Sequence, residues 1–240
     1  MQAKLEDQHK LLQIAELDLK LATLHQKIKS LPEAIAHKEV TIQFETTRDL
    51  RIAAETELSD LSSEINRAES DVEQVAKRIE KDEQRLNAGQ GTPKELEQIQ
   101  HELVSLNARR AELEEVELEV MLRADEIKQR ITDLSSKEGE LTNQVAVATE
   151  NRDKALAALE NELQSTEASR LELLPQVDTA LMDLYEKIRS NGIVAAARIK
   201  NGQCGGCNLA INSGDLNNLM GLPEAEVARC EECRCILVRS

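Results

Sequence analysis

The chain has 240 residues, a net charge of −15 and 31% charged residues, with one Phe, one Tyr and no Trp. Globular cores draw much of their buried area from large rings, so this composition excludes an ordinary compact core and matches long helices instead. From Asn191 onward five basic residues balance five acidic ones, so the part of the chain before Asn191 carries the acidic excess. An acidic rod repels phosphate backbones and argues against a nucleic-acid clamp or a membrane-bound surface.

In chain order, Ile14, Leu17, Leu21, Leu24, Ile28 and Leu31 alternate by three and four residues, a heptad seam. Pro32 lacks an N–H and ends or kinks that helix, with Glu33 in the next first turn. A second seam runs Ala54, Leu58, Leu61, Ile65, Ala68, Val72, Val75, Ile79 and, skipping Asp82, Leu86. Thr41–Thr47 alternates with period two, but a lone strand between two seams has no partner, so helix is expected there.

Asn87-Ala-Gly-Gln-Gly-Thr-Pro-Lys-Glu is the strongest turn signal ahead of Asn191, with Thr92 as N-cap, Pro93 at the first helical position and Glu95 closing a capping box. Gly89 to Glu95 would present a tip to a partner, although turn chemistry already accounts for these residues. The returning helix repeats Leu96, Ile99, Leu103, Leu106, Leu113, Val120, Ala124, Ile127, Ile131, Leu134, Leu141, Val145 and Ala148, interrupted by Arg110, Glu117 and Glu138. Polar seam residues of this kind set alignment at some cost in stability. At helical rise the arms would run about 130 Å and about 145 Å, so they match as an antiparallel hairpin, with Pro175 near the amino end of the first helix and both prolines as bends. Leu11, Leu12 and Leu19 lie off the seam and are expected to pack on the C-terminal module or on a second chain.

Ser190-Asn191-Gly192 is the expected helix end. Ile193–Ile199 reads as a first strand or an extended approach, Leu209–Ile211 as a short strand, and Ile236–Val238 as a closing one; Ser213 is the expected cap of a short helix through Met220. Between them lie Cys204-Gly-Gly-Cys207 and Cys230-Glu-Glu-Cys233, separated by the spacer from Asn208 to Arg229. That is the spacing of a zinc ribbon with four thiolate ligands, here Cys204, Cys207, Cys230 and Cys233 around one structural Zn2+, iron being the competing metal. The glycines let backbone amides turn toward the sulfurs without a Cβ clash. Cys235, two positions past Cys233, is expected to point away from the metal as a strand residue.

The expected fold is therefore mainly α: a long kinked antiparallel coiled-coil hairpin over 1–190, bent near 31–33 with its tip at 87–94, and a small C4 zinc ribbon over 191–240. A closed four-thiolate site leaves no position for substrate, and His9, His25, His37 and His101 all fall on helices away from the cysteines, so no enzyme is expected. The amino-terminal residues lack a signal-peptide core and no segment reads as a membrane span, which points to the cytoplasm and to reduced cysteines.

The helical hairpin, the Leu31-Pro32-Glu33 bend, Lys94-Glu95 at the tip, and a ribbon with Cys204-Gly-Gly-Cys207 and Arg229-Cys-Glu-Glu-Cys233 together resemble the bacterial C4-type zinc ribbon (DUF164, zf-RING_7-like) coiled-coil proteins. The resemblance covers the whole chain and is most specific from Tyr185 to Val238. It implies a kinked hairpin with a zinc ribbon at its base, no enzymatic activity, and a role as an adaptor for an alternative sigma factor of RNA polymerase or for flagellar or secretion regulation, with mRNA binding in one branch. The family's ligands fall on Cys204, Cys207, Cys230 and Cys233. Arg234-Cys235 departs from the Gly-Arg of relatives, which tightens the turn after the second knuckle and removes a contact that the relatives' arginine would offer to a partner or phosphate. The expected function is a protein–protein adaptor in transcription. The alternative is RNA or DNA binding through the ribbon, with Arg198, Lys200, Arg229, Arg234 and Arg239 as contacts and no aromatic ring on which a base could stack.

Overall fold

Apolar residues spaced by three and four bury one stripe of each long helix, and the elements follow those stripes. The computed structural model describes residues 1–192 and 194–239; Ile193, the expected start of the first ribbon strand, lies outside them. Helix α1 spans Leu5–Lys29, α2 Pro32–Asn87 and α3 Pro93–Leu173. A 3-10 turn at Leu174–Gln176 precedes α4, Thr179–Arg189. The ribbon comprises β1 (Ala196–Lys200), β2 (Gln203–Cys204), α5 (Ser213–Gly221), β3 (Ala228–Arg229) and β4 (Ile236–Val238).

The break at Pro32 is present, Thr41–Thr47 is helical, and α4 ends with Ser190 as its C-cap and Gly192 at φ +75°. The returning arm, however, is not one continuous helix to Ser190. Pro175 falls in the 3-10 turn, and Asp178 recaps the chain by accepting from the N–H groups of Ala180 (3.0 Å) and Leu181 (3.2 Å). A proline without a donor next to a good capping residue explains the interruption.

The chain divides into two compact units, 36–149 and 1–35 with 150–240. In the first, α2 and the opening part of α3 run antiparallel around Leu61, Val120 and Ala124, with Leu58, Ile65 and Ile127 against them. Ion pairs Arg51–Glu138 (2.5 Å), Glu57–Arg130 (3.8 Å) and Arg78–Glu102 (2.9 Å) record the register, one number rising as the other falls. Asp82, in the seam position skipped by the apolar pattern, is 1% exposed and paired with Arg78 at 3.0 Å. Of the three polar interruptions in α3, Glu138 reaches across to α2, whereas Arg110 pairs within its own helix with Glu114. At the tip, Thr92 N–H donates to Glu95 Oε2 at 2.7 Å, and Glu95 N–H donates to Thr92 Oγ1 at 3.4 Å, closing the expected capping box.

The second unit is organised by one core shared between helices and ribbon. Leu11, Leu12, Ile14 and Ala15 of α1 and Leu181, Tyr185 and Ile188 of α4 pack with Ala195, Ala196, Ile236 and Val238. Leu11 and Leu12 thus meet the ribbon as expected, while Leu19 is exposed. Asp18 accepts from Tyr185 Oη (2.7 Å) and from Arg170 Nε (2.7 Å), and Arg170 also reaches Glu186. Burial, and then the Asp18 carboxylate, push the Tyr185 phenol well above its usual range, so it stays protonated and donates. The amino-terminal residues join the ribbon as well: Ala3 N–H donates to Ala225 O (2.7 Å) and Val227 N–H to Met1 O (3.0 Å). Although α4 ends at the boundary expected from the sequence, this shared core places α1, α4 and the ribbon in one unit.

The ribbon sheet has the order β2-β1-β4-β3, with β1 parallel to β4 and the other pairs antiparallel. Asn201 (φ 52°) and Gly202 (φ +73°) form the tight turn joining β1 to β2, an Asn-Gly hairpin signal legible in the sequence. Two expectations need correction. Leu209–Ile211 is not a strand but contributes one isolated bridge, Ala210 to Gln203, because β2 offers only two residues to pair. The cap of α5 is Asn212, not Ser213: its Oδ1 accepts from Asp215 N–H at 2.8 Å, the reach of an Asx side chain to N3.

Leu11 is fully buried, so Leu11→Ala should cost about 3 kcal/mol in urea denaturation. Tyr185→Phe, which removes only the hydroxyl, should cost about 1 kcal/mol.

Candidate metal centre

The two knuckles are built alike. In the first, Cys204 N–H donates to Leu209 O (2.9 Å) and Asn208 N–H to Cys204 O (2.8 Å); in the second, Cys230 N–H donates to Cys235 O (3.0 Å) and Arg234 N–H to Cys230 O (3.0 Å). Each loop turns through a left-handed residue directly after its second cysteine, Asn208 at φ 61° and Arg234 at φ 63°. Asparagine tolerates that conformation; arginine at the place where relatives are expected to carry glycine is strained by its Cβ.

Glycines fit the first knuckle for steric reasons. A Cβ on Gly205 would lie 2.6 Å from Arg198 O, and one on Gly206 would lie 3.0 Å from Cys235 Sγ. Gly206 N–H donates to Cys204 Sγ at 3.4 Å, the amide-to-sulfur contact expected from the glycine pair. Burial opposes ionisation of Cys204, but the amides of Cys207 and Gly206 and the neighbouring thiols outweigh it and bring its pKa down to about 7.

The sulfurs of Cys204, Cys207, Cys230 and Cys233 all lie within 4.8 Å of one another. A tetrahedral ion with metal–sulfur bonds of about 2.3 Å requires sulfurs about 3.8 Å apart, and Cys204 Sγ and Cys233 Sγ are 3.8 Å apart. These four residues could therefore hold one metal ion, and the donor set, four sulfurs with amide support, suits a borderline-soft cation. The apolar core behind it is small: Ala197, Ala228 and Leu237 with the cysteines, flanked by Ile199, Ile211, Leu219 and Leu222.

Cys235 does not point clear of the cluster. It is fully buried, and its sulfur lies 3.4 Å from that of Cys204. Counting two positions on from Cys233 assumes an extended strand, and left-handed Arg234 breaks that alternation. By hydrogen-bond pattern Cys235 matches Leu209, the residue after the turn in the other knuckle.

The five cationic candidates are divided. Arg239 gives its guanidinium to four carbonyls, those of Leu219 (2.9 Å), Leu222 (2.6 Å), Pro223 (2.8 Å) and Glu226 (2.7 Å), and so clasps the end of α5. Arg229 donates to Arg234 O at 3.0 Å beside the second knuckle. Arg198 and Lys200 border a different cleft, shared with Glu16 and Leu19 of α1. Sequence reasoning missed Gln8, 1% exposed, whose Nε2 donates to Ala3 O and Glu224 O at 3.0 Å each and ties the ribbon to α1. Its signal was a glutamine in register with the buried stripe of Leu11, Leu12 and Ala15.

Fold and site together define an antiparallel coiled-coil hairpin that carries a four-cysteine candidate metal site on a small sheet. Residues 14–193 match the model of the CT398-like coiled coil hairpin domain, and the chain belongs to that family. The matched span ends before Cys204, so membership rests on the hairpin. An uncharacterized protein of Mycobacterium tuberculosis is 35% identical over 243 residues, covering 100% of this chain and 98% of its own length. A solved structure from Mycobacterium smegmatis superposes with a TM-score of 0.89 at 31% identity, covering 100% of both chains. CT398 from Chlamydia trachomatis superposes with a TM-score of 0.79 at 21% identity, covering 98% of both, a likeness of fold.

Gly205→Ala, which drives a Cβ into a backbone carbonyl, should destabilise the ribbon by about 2 kcal/mol. Arg234→Gly relieves the left-handed strain and should stabilise it by about 1 kcal/mol. Both are read by chemical denaturation of the metal-loaded protein.

Proposed function

We propose that the chain is a non-enzymatic adaptor whose four cysteines hold one structural Zn2+, and that its hairpin and ribbon present surfaces to protein partners in transcription. The observation that carries this is the coordinatively complete set: Cys204, Cys207, Cys230 and Cys233 lie mutually within 4.8 Å and would fill all four positions of a tetrahedral ion. A zinc ion bound there supplies folding energy and no open position for water or substrate. The need for it follows from size. Among the described residues the core around the four candidate ligands holds Ala197, Ala228, Leu237 and Cys235 as buried partners, whereas structural zinc contributes about 10 kcal/mol or more in small modules. The adaptor reading and the link to RNA polymerase or a sigma subunit come from the C4-type zinc ribbon resemblance, and acidic helices suit basic partner surfaces.

The nucleic-acid reading has less support. Arg239 is engaged by four carbonyls, and Arg229 borders a different cleft from Arg198 and Lys200. Among the described residues no helix is long and apolar enough to cross a membrane.

Elemental analysis of reduced protein should find about one zinc equivalent. Stripping it with a chelator should unfold the ribbon while leaving most of the helical signal, because the unit of residues 36–149 has its own core. Acidification should do the same, since protons compete with the metal for thiolates and affinity falls as pH falls. Cross-linking and mass spectrometry on complexes from the native host should place RNA polymerase or a sigma subunit against this chain. Micromolar RNA or DNA binding at physiological salt, with no polymerase contact, would replace this reading by the alternative.

A further inference from the structure

We infer that Cys204 and Cys235 form an oxidisable pair, converted by peroxide into a disulfide that withdraws Cys204 from the metal set and opens the site. The release of metal rests on the zinc reading above; formation of the disulfide does not.

Three observations meet at this pair. The two sulfurs are 3.4 Å apart, closer than the 3.8 Å between Cys204 and Cys233 within the ligand set. Both residues are buried, Cys204 at 1% and Cys235 at 0%, so the pair is held in place by its surroundings. Gly206 covers both sulfurs with a hydrogen only: a Cβ there would lie 3.0 Å from Cys235 Sγ and 3.6 Å from Cys204 Sγ. The glycine thus keeps a Cβ from crowding the two sulfurs as they close. To bond, they must close by about 1.4 Å to the disulfide length of about 2.05 Å, a side-chain rotation. The matched residue of the other knuckle is Leu209, so a knuckle of this kind has no need of a thiol at that place.

The reaction balances with hydrogen peroxide as oxidant. The Cys204 thiolate attacks one peroxide oxygen, the O–O bond breaks, and the departing hydroxide takes a proton to leave as water, giving a sulfenic acid on Cys204. The Cys235 sulfur then attacks the sulfenic sulfur. The S–S bond forms, the S–O bond breaks, and the hydroxide leaves as a second water with the Cys235 proton. The two thiols lose two electrons and one peroxide is reduced to two waters. With Cys204 in a disulfide, three thiolates remain around the ion, and affinity falls. A dithiol reductant reverses the bond by exchange and restores the ligand.

The sequence makes the linkage readable. Trypsin cleavage after Lys200, Arg229, Arg234 and Arg239 separates Cys204 and Cys207 (peptide 201–229), Cys230 and Cys233 (230–234) and Cys235 (235–239). Reduced, metal-loaded full-length protein is assayed for zinc, treated with hydrogen peroxide, and followed with a chromogenic zinc chelator while unreduced digests are analysed by mass spectrometry. The expected product is peptide 201–229 joined to 235–239 through Cys204, appearing in step with zinc release and reversed by dithiothreitol. Cys235→Ala should release zinc about tenfold more slowly, the order expected when a positioned thiol is lost; Cys235→Ser, checked for folding by circular dichroism, should behave the same way. Disulfides confined within peptides 201–229 or 230–234, or Cys235→Ala releasing zinc at the parent rate, would overturn the pair. Absence of zinc from the starting protein would overturn the metal reading alone, because the joined peptide still reports on Cys204 and Cys235.

Discussion

The parallel pairing of β1 with β4 is the joint on which the second unit depends. Because successive strand residues face opposite sides, this short sheet has two working faces. Ala196, Ile236 and Val238 turn toward Leu11, Ile14, Leu181 and Tyr185. Ala197 and Leu237, their neighbours in sequence, turn toward the cysteines. One sheet of short strands therefore couples a coiled-coil core to a thiol cluster, and each helps to position the other. Neither face is large: the helix-side core contains a single ring, Tyr185, and the cysteine-side core contains none.

Polar groups fill the places where apolar packing runs out. Tyr185 and Arg170 converge on Asp18, and Gln8 bridges the amino-terminal residues to Glu224. In the other unit Glu138 of α3 holds Arg51 of α2, and Arg78, steadied by Asp82 of its own helix, reaches Glu102 of α3. Partly buried pairs of this kind contribute little net stability but are costly to mismatch, so they select one register of two long helices that apolar seams alone would let slip by a heptad. The exposed pairs along the hairpin contribute less still.

The four mutually close sulfurs are matched to a closed coordination shell, and the histidines are scattered over α1, α2 and α3. Cys235 stands apart as a buried thiol 3.4 Å from the sulfur of Cys204, outside the set of four candidate ligands.

The helices were legible in the residues alone, because heptad spacing, Pro32 and the Thr92/Glu95 box are local signals that survive without tertiary contacts. So were the four ligand candidates, since Cys-x-x-Cys spacing forces each pair of sulfurs to one side of a turn. Local reasoning went astray where a short signal competed with a neighbour: Asn212 over Ser213 as cap, and a single bridge instead of a strand at Leu209–Ile211. Folding in three dimensions was needed to choose the ribbon over a second chain as the partner of Leu11 and Leu12, to set Arg239 among carbonyls, and to turn Cys235 back onto Cys204. Those outcomes depend on left-handed Arg234 and on a parallel pairing between distant parts of the chain, Ala196 with Ile236. Periodicity and spacing report what is near in sequence, and they carry no information about which distant faces will meet.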